Sequence, residues 1–114
     1  MSERGITLYF DDILESIKKI EDFTRGMSPE SFKQDIKTID AVVRNIEVIG
    51  EAARKIPQEL RVLHPTVPWK QIVGARDKVI HEYFGVDVDI IWETVIEDIP
   101  LFKRQMEALR KEHA

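Results

Sequence analysis

An arginine, a histidine and a tyrosine stand close together at Arg76, His81 and Tyr83, in the segment RDKVIHEY. Histidine titrates near neutral pH, so it can take or release a proton under cellular conditions. Arginine stays charged, and its planar fork matches the oxygens of a phosphate group. The pair suits phosphodiester chemistry. In RNA cleavage without a metal, the 2′-hydroxyl loses a proton and attacks phosphorus, the leaving 5′-oxygen gains a proton, and the crowded phosphorane needs positive charge. A base, an acid and a cation are required, and one copy of this segment contains a single histidine.

The spacing limits how these residues can cooperate. On a regular helix Arg76 and Tyr83 share a stripe about 10 Å apart along the axis, whereas Arg76 and His81 diverge by roughly 140°. They cannot easily grip one small group from within one regular helix. Either the helix is distorted near His81 or a second copy of the chain completes the site. A two-fold dimer would bring two arginines and two histidines to one cleft. Gly74 and Ala75, just before Arg76, lack bulk and would let a ligand or another backbone approach. Asp77 lies four residues before His81 and faces it, and Lys78 adds a further cation. A purely structural use of the same residues has Arg76 paired with an acid and His81 bonded to Asp77.

The elements that must position this segment are helical throughout, with no strand-like alternation. A first helix spans about Thr7 to Arg25, with a buried stripe of Ile6, Phe10, Ile13, Ile17 and Ile20, and Gly26 ends it. Ser28-Pro29-Glu30 starts a short helix reaching about Lys33. A second long helix runs from about Asp35 to Ile56, where Pro57 stops it. Its small residues Gly50, Ala52 and Ala53 favour close approach of a neighbour. Residues Arg61 to Pro68 read as a loop. A third helix starts near Pro68-Trp69 and ends by Gly85. A fourth, capped by Asp87, carries Ile90, Ile91, Trp92, Val95, Ile96 and Ile99. Pro100 should kink it, and Leu101, Phe102, Met106 and Leu109 continue its apolar pattern. The expectation is an all-α protein, an antiparallel four-helix bundle with one additional short helix, forming a single domain over 1–114.

Charge is distributed unevenly along the 114 residues, whose net charge is −4. From Arg54 to Lys78 there are six basic residues against two acidic ones, and from Glu82 to Asp98 there are six acids and no base. A local phosphate-attracting patch on an acidic protein fits this pattern, as do ordinary solvated faces. There is no cysteine. That excludes disulfides and a cysteine nucleophile, and suits a cytoplasmic protein. No apolar run has the ~18–20 residues of a membrane span. His64, beside prolines, reads as a surface histidine and His113 as part of a frayed tail. The histidines share no ligand spacing, so no metal site is expected. Trp69 and Trp92 read as core. Asn45, Glu47 or Glu51 on the second helix is a candidate to orient Arg76.

The motif Arg-x4-His-x-Tyr within PWKQIVGARDKVIHEYFGVD resembles that of the HepT family of HEPN-domain ribonuclease toxins. The segments AVVRNIEVIGEAARKIP and IIWETVIEDIPLF are similar to that family too, so the likeness covers nearly the whole chain. It implies a homodimeric helical bundle with a metal-independent RNase site at its interface, in which Arg76 and His81 are catalytic. It also implies an MntA-type nucleotidyltransferase antitoxin that uses ATP to attach AMP to Tyr83, the chain itself needing no cofactor. Asp77 stands at a position often polar in HEPN proteins. The same fold also serves a different class of function, a non-catalytic helical dimer that binds a nucleotidyltransferase partner. The intact Arg76/His81 pair favours the ribonuclease, and the acidic net charge favours the binding module.

Overall fold

The computed structural model describes residues 3–75, 77 and 88–113. Among them every regular element is helical, in the order α1 (Glu3–Thr24), α2 (Pro29–Lys33), α3 (Ile36–Lys55), α4 (Gln58–Leu63), α5 (69–75, with 77 also helical), α6 (Val88–Glu93), a π-helical turn (Thr94–Asp98) and α7 (Ile99–Glu112). The all-α bundle expected from the periodicity is what the chain forms. No described helix is long and apolar enough to cross a membrane.

The local chemistry explains the boundaries. Gly26 adopts φ 77°, a left-handed conformation suited to glycine, and reverses the chain after α1. Ser28 caps α2 reciprocally: its side chain accepts from the Ser31 backbone, and the Ser31 hydroxyl accepts from the Ser28 backbone. Asp35 caps α3 by accepting from the Thr38 backbone N–H at 3.0 Å. That bond holds its carboxyl below the ordinary 3.8. The motif helix's upstream neighbour, α3, ends where Pro57 forbids continuation, and Ile56 turns into extended backbone.

α1 lies between α3 and α7 and contacts both. Its predicted stripe is inside: Phe10, Ile13, Ile17 and Ile20 are fully buried, and Ile6 is nearly so. Each such side chain contributes about 1.5–3 kcal/mol from burial. From α3 come Val42, Val43, Ile46, Ile49 and the small buried residues Gly50, Ala52 and Ala53. Two ion pairs fix the direction of α7. Lys103 reaches Glu21 at 3.1 Å and Arg110 reaches Asp11 at 2.6 Å. Moving forward along α7 therefore means moving backward along α1, so the two helices are antiparallel. Pairs this exposed add at most about 1 kcal/mol each. Their effect is on orientation more than on stability. Trp69 is buried as expected, and Trp92 packs half-buried on Phe32 with ring centroids 5.0 Å apart.

Two expectations change. The stretch read as a loop from Arg61 begins inside a helix, because α4 occupies Gln58–Leu63 with Pro57 at its N-cap and Leu60 in the core. The turn before Pro100, where a kink is expected, is π-helical. There the Ile99 N–H bonds the Thr94 carbonyl five residues back. Proline has no N–H to donate and its ring clashes with the carbonyl four residues earlier; a widened turn accommodates both. Ile91, Val95, Ile99 and Phe102 are buried at ordinary helical spacing, whereas Ile96 and Leu101, both expected inside, are 53% and 49% exposed and lie roughly 100° or more from the centre of that stripe. The caps and contacts expected from Asp87 and Gly85 fall outside the described residues.

This difference in burial makes a direct prediction for stability. Ile99→Ala should cost about 2–5 kcal/mol, and Ile96→Lys should stay within about 0.5 kcal/mol. Denaturant midpoints of the two variants check it, and equal losses would contradict the assignment of Ile99 to the core and Ile96 to the surface.

Candidate functional site

The motif helix is held at its near end by a compact turn. The His64 carbonyl accepts the Val67 N–H at 3.2 Å and the Trp69 indole Nε1–H at 3.0 Å. Trp69 N–H bonds the Val67 carbonyl at 2.8 Å, and Ile72 N–H bonds the Pro68 carbonyl at 3.0 Å to open α5. From α7, the Gln105 side chain donates to the Thr66 carbonyl at 3.2 Å. The indole is thus buried on one side and hydrogen-bonded on the other, which is how a tryptophan anchors an element without leaving its N–H unsatisfied.

Beyond that anchor α5 delivers Gly74, Ala75 and Asp77. Gly74 is exposed, and a Cβ placed there would meet nothing within 4 Å among the described residues. Ala75 is half-buried and lines an apolar groove of about 230 Å³ with Ile46 and Ile49 of α3, Ile72 of α5, and Ile99 and Phe102 of α7. Asp77 is exposed. Arg76, Lys78, His81 and Tyr83 lie outside the described residues.

Part of the basic block converges on this end of the molecule. Arg61 of α4 and Lys70 of α5 line one open groove of about 480 Å³ together with Val62, Trp69, Val73 and Gly74. The Arg61 Nε is buried, without a hydrogen-bond partner among the described residues. Arg54, by contrast, is bonded to Glu51 at 2.9 Å and is locally neutralised. Of the residues considered as supports for Arg76, Asn45 turns to α1. It lines a groove with Ser16 and donates its amide to the Ala41 carbonyl at 2.8 Å, so it is not on the side facing α5. Glu47 pairs with Arg44 at 3.9 Å.

The contribution of α4 was missed in the linear reading. Its signal was present: Pro57-Gln58-Glu59 puts a proline at the helix start and an acid in the first turn, as Pro29-Glu30 does for α2. Six residues with one buried side chain gave too little periodicity to register.

The comparisons with known proteins agree with the family resemblance. Residues 13–109 match the model of the family described as ribonuclease HepT-like. A Thermococcus cleftensis protein named "Probable ribonuclease HepT" is 52% identical over 90% of this chain and 94% of its own length. A candidate RNase of Caldanaerobacter subterraneus subsp. tengcongensis is 46% identical over 91% of the chain and 94% of its length. Another, from Methanocaldococcus jannaschii, is 41% identical over 98% and 93%. No solved structure matches the chain. With the family model spanning most of its length and these relatives covered almost end to end, the chain belongs to the HepT-like ribonuclease family.

Proposed function

We propose that the protein is the toxin of a toxin–antitoxin pair: a metal-independent endoribonuclease acting as a homodimer, with Arg76 and His81 catalytic. The observation that carries this reading is the intact Arg-x4-His-x-Tyr motif in a chain of the HepT-like ribonuclease family. His81 exchanges protons with the 2′-hydroxyl and the 5′-oxygen. Because one histidine cannot be base and acid in the same step, the second copy supplies the other. Arg76 binds the phosphate and offsets the charge that builds on the phosphorane. Arg61 and Lys70, beside the open Gly74, attract the flanking RNA backbone.

A second copy also has a surface to use. Val62 and Leu63 on α4 are 65% and 71% exposed, next to the groove that runs to Gly74. Neighbouring apolar side chains left in water on a small protein favour association. Sedimentation of the wild type should give a dimer, and Val62→Glu with Leu63→Glu should shift it to monomer and lower cleavage in parallel. A monomeric wild type would remove the composite site.

Tyr83 is the regulatory residue in this reading. A nucleotidyltransferase antitoxin attaches AMP to it from ATP. On a regular helix Tyr83 would share a stripe with Arg76, and the added phosphate would then compete with RNA for that cation and fill the cleft. Stoichiometric AMP on Tyr83 should abolish cleavage. Unchanged activity of the modified protein would refute this control.

The central experiment is cleavage of cellular RNA by unmodified protein in EDTA, beside His81→Ala. The variant should lose about 10²–10⁴-fold in rate, and wild-type products should end in 2′,3′-cyclic phosphates. If neither protein cuts RNA, the segment is a docking and modification site, and the partner-binding reading replaces the enzymatic one.

A further inference from the structure

Two histidines far apart in the chain meet at one end of the bundle. His64 is the C-cap of α4 and His113 is the C-cap of α7. Their rings meet edge to face, with centroids 5.7 Å apart. Glu112 adjoins them, and one ligand atom from each of the three residues lies within 4.8 Å of the other two. The His113 ring also stacks on the fully buried Phe10, with centroids 6.2 Å apart, which fixes the plane of the imidazole. Both histidines are half-buried and Glu112 is exposed.

We propose that His64, Glu112 and His113 form a binding site for a divalent transition-metal ion of the zinc type. Two imidazoles and a carboxylate are a donor set that zinc accepts, with water in the fourth position. Imidazole nitrogens select such ions over magnesium or calcium. Donors about 2.0–2.2 Å from a tetrahedral ion lie roughly 3.3 Å from one another, so the three ligand atoms must draw together on binding. Glu112 has that freedom at the exposed end of α7. A simple ring cluster of Phe10, His113 and His64 accounts for the aromatic contacts, but it does not require a carboxylate oxygen near both imidazoles.

The ion would act as a clasp. The carbonyl of His64 is the acceptor that organises the turn before α5, through Val67 and Trp69. Metal on its side chain ties that turn to the end of α7, and so stiffens the base of the helix that leads to Arg76. None of the three ligands is a proposed catalytic residue. The inference rests on the described geometry and is independent of the ribonuclease reading.

The test uses the untagged full-length chain, stripped with EDTA and dialysed, then titrated with zinc by calorimetry and with cobalt by visible absorption. One ion per chain should bind, with the absorption bands of tetrahedral cobalt, and saturating zinc should raise Tm. His64→Ala and Glu112→Gln should each weaken zinc binding by about tenfold or more. Glu112→Gln, at an exposed position, tests the contact without disturbing the core. His81→Ala should leave binding unchanged. The site is refuted by absence of binding at millimolar zinc, by binding that survives both ligand substitutions, or by binding lost with His81→Ala.

Discussion

The indole of Trp69 is the contact on which the functional end of the molecule depends. It is buried against the core and also hydrogen-bonded to the carbonyl of His64. That carbonyl closes the turn between α4 and α5. A rigid helix transmits the position of its first turn to its last, and each residue advances the axis by about 1.5 Å. An anchor at residue 69 therefore determines where Gly74, Ala75 and Asp77 emerge. Losing the indole would leave a cavity in the core and free the turn at the same time. It is the one place where packing and site geometry are set by the same side chain.

The rest of the fold supplies the platform for that anchor. α1 contributes little chemistry but presents a continuous apolar stripe to α3 and α7, and the ion pairs at Asp11 and Glu21 give the antiparallel sense of α7. α7 then returns to the anchor, where Gln105 meets the Thr66 carbonyl. The π turn fits the same logic. A proline in the middle of a long helix would otherwise break the ladder, and widening the preceding turn keeps the helix continuous so that Phe102, Met106 and Leu109 still reach the core.

Legibility in the sequence followed the strength of local signals. The stripe of α1, the cap at Ser28 and the stop at Pro57 each rest on a few residues with strong conformational preferences. All were readable in one dimension. α4 was not, because a six-residue helix with one buried leucine has no periodicity to count. Ile96 and Leu101 were placed inside by residue type, although a regular helical period already sets both off the stripe of Ile91, Val95, Ile99 and Phe102. For the site, the motif itself was legible as residue types and spacing, and its membership in a ribonuclease family follows from the comparisons. What no spacing rule can show is convergence between distant segments. Arg61 beside Lys70, and His64 beside His113, exist only once α4 has folded against α5 and α7 has returned.

The net charge of −4 looks like an argument against an enzyme that handles RNA. It weakens once distance is considered. At physiological ionic strength charges interact over about 8 Å, so a phosphate entering the groove responds to the groups that line it. Arg61 and Lys70 line it, and no acid is among the described residues of its lining. The acids of α1 are partly engaged with Lys103 and Arg110 on another side of the bundle, while those of α3 are met by Arg44 and Arg54. Pairing removes much of the negative field that the bare sum implies. An acidic protein can thus present a locally cationic surface at one helix end, and sequence-wide charge is a poor guide to whether that surface meets a phosphate backbone.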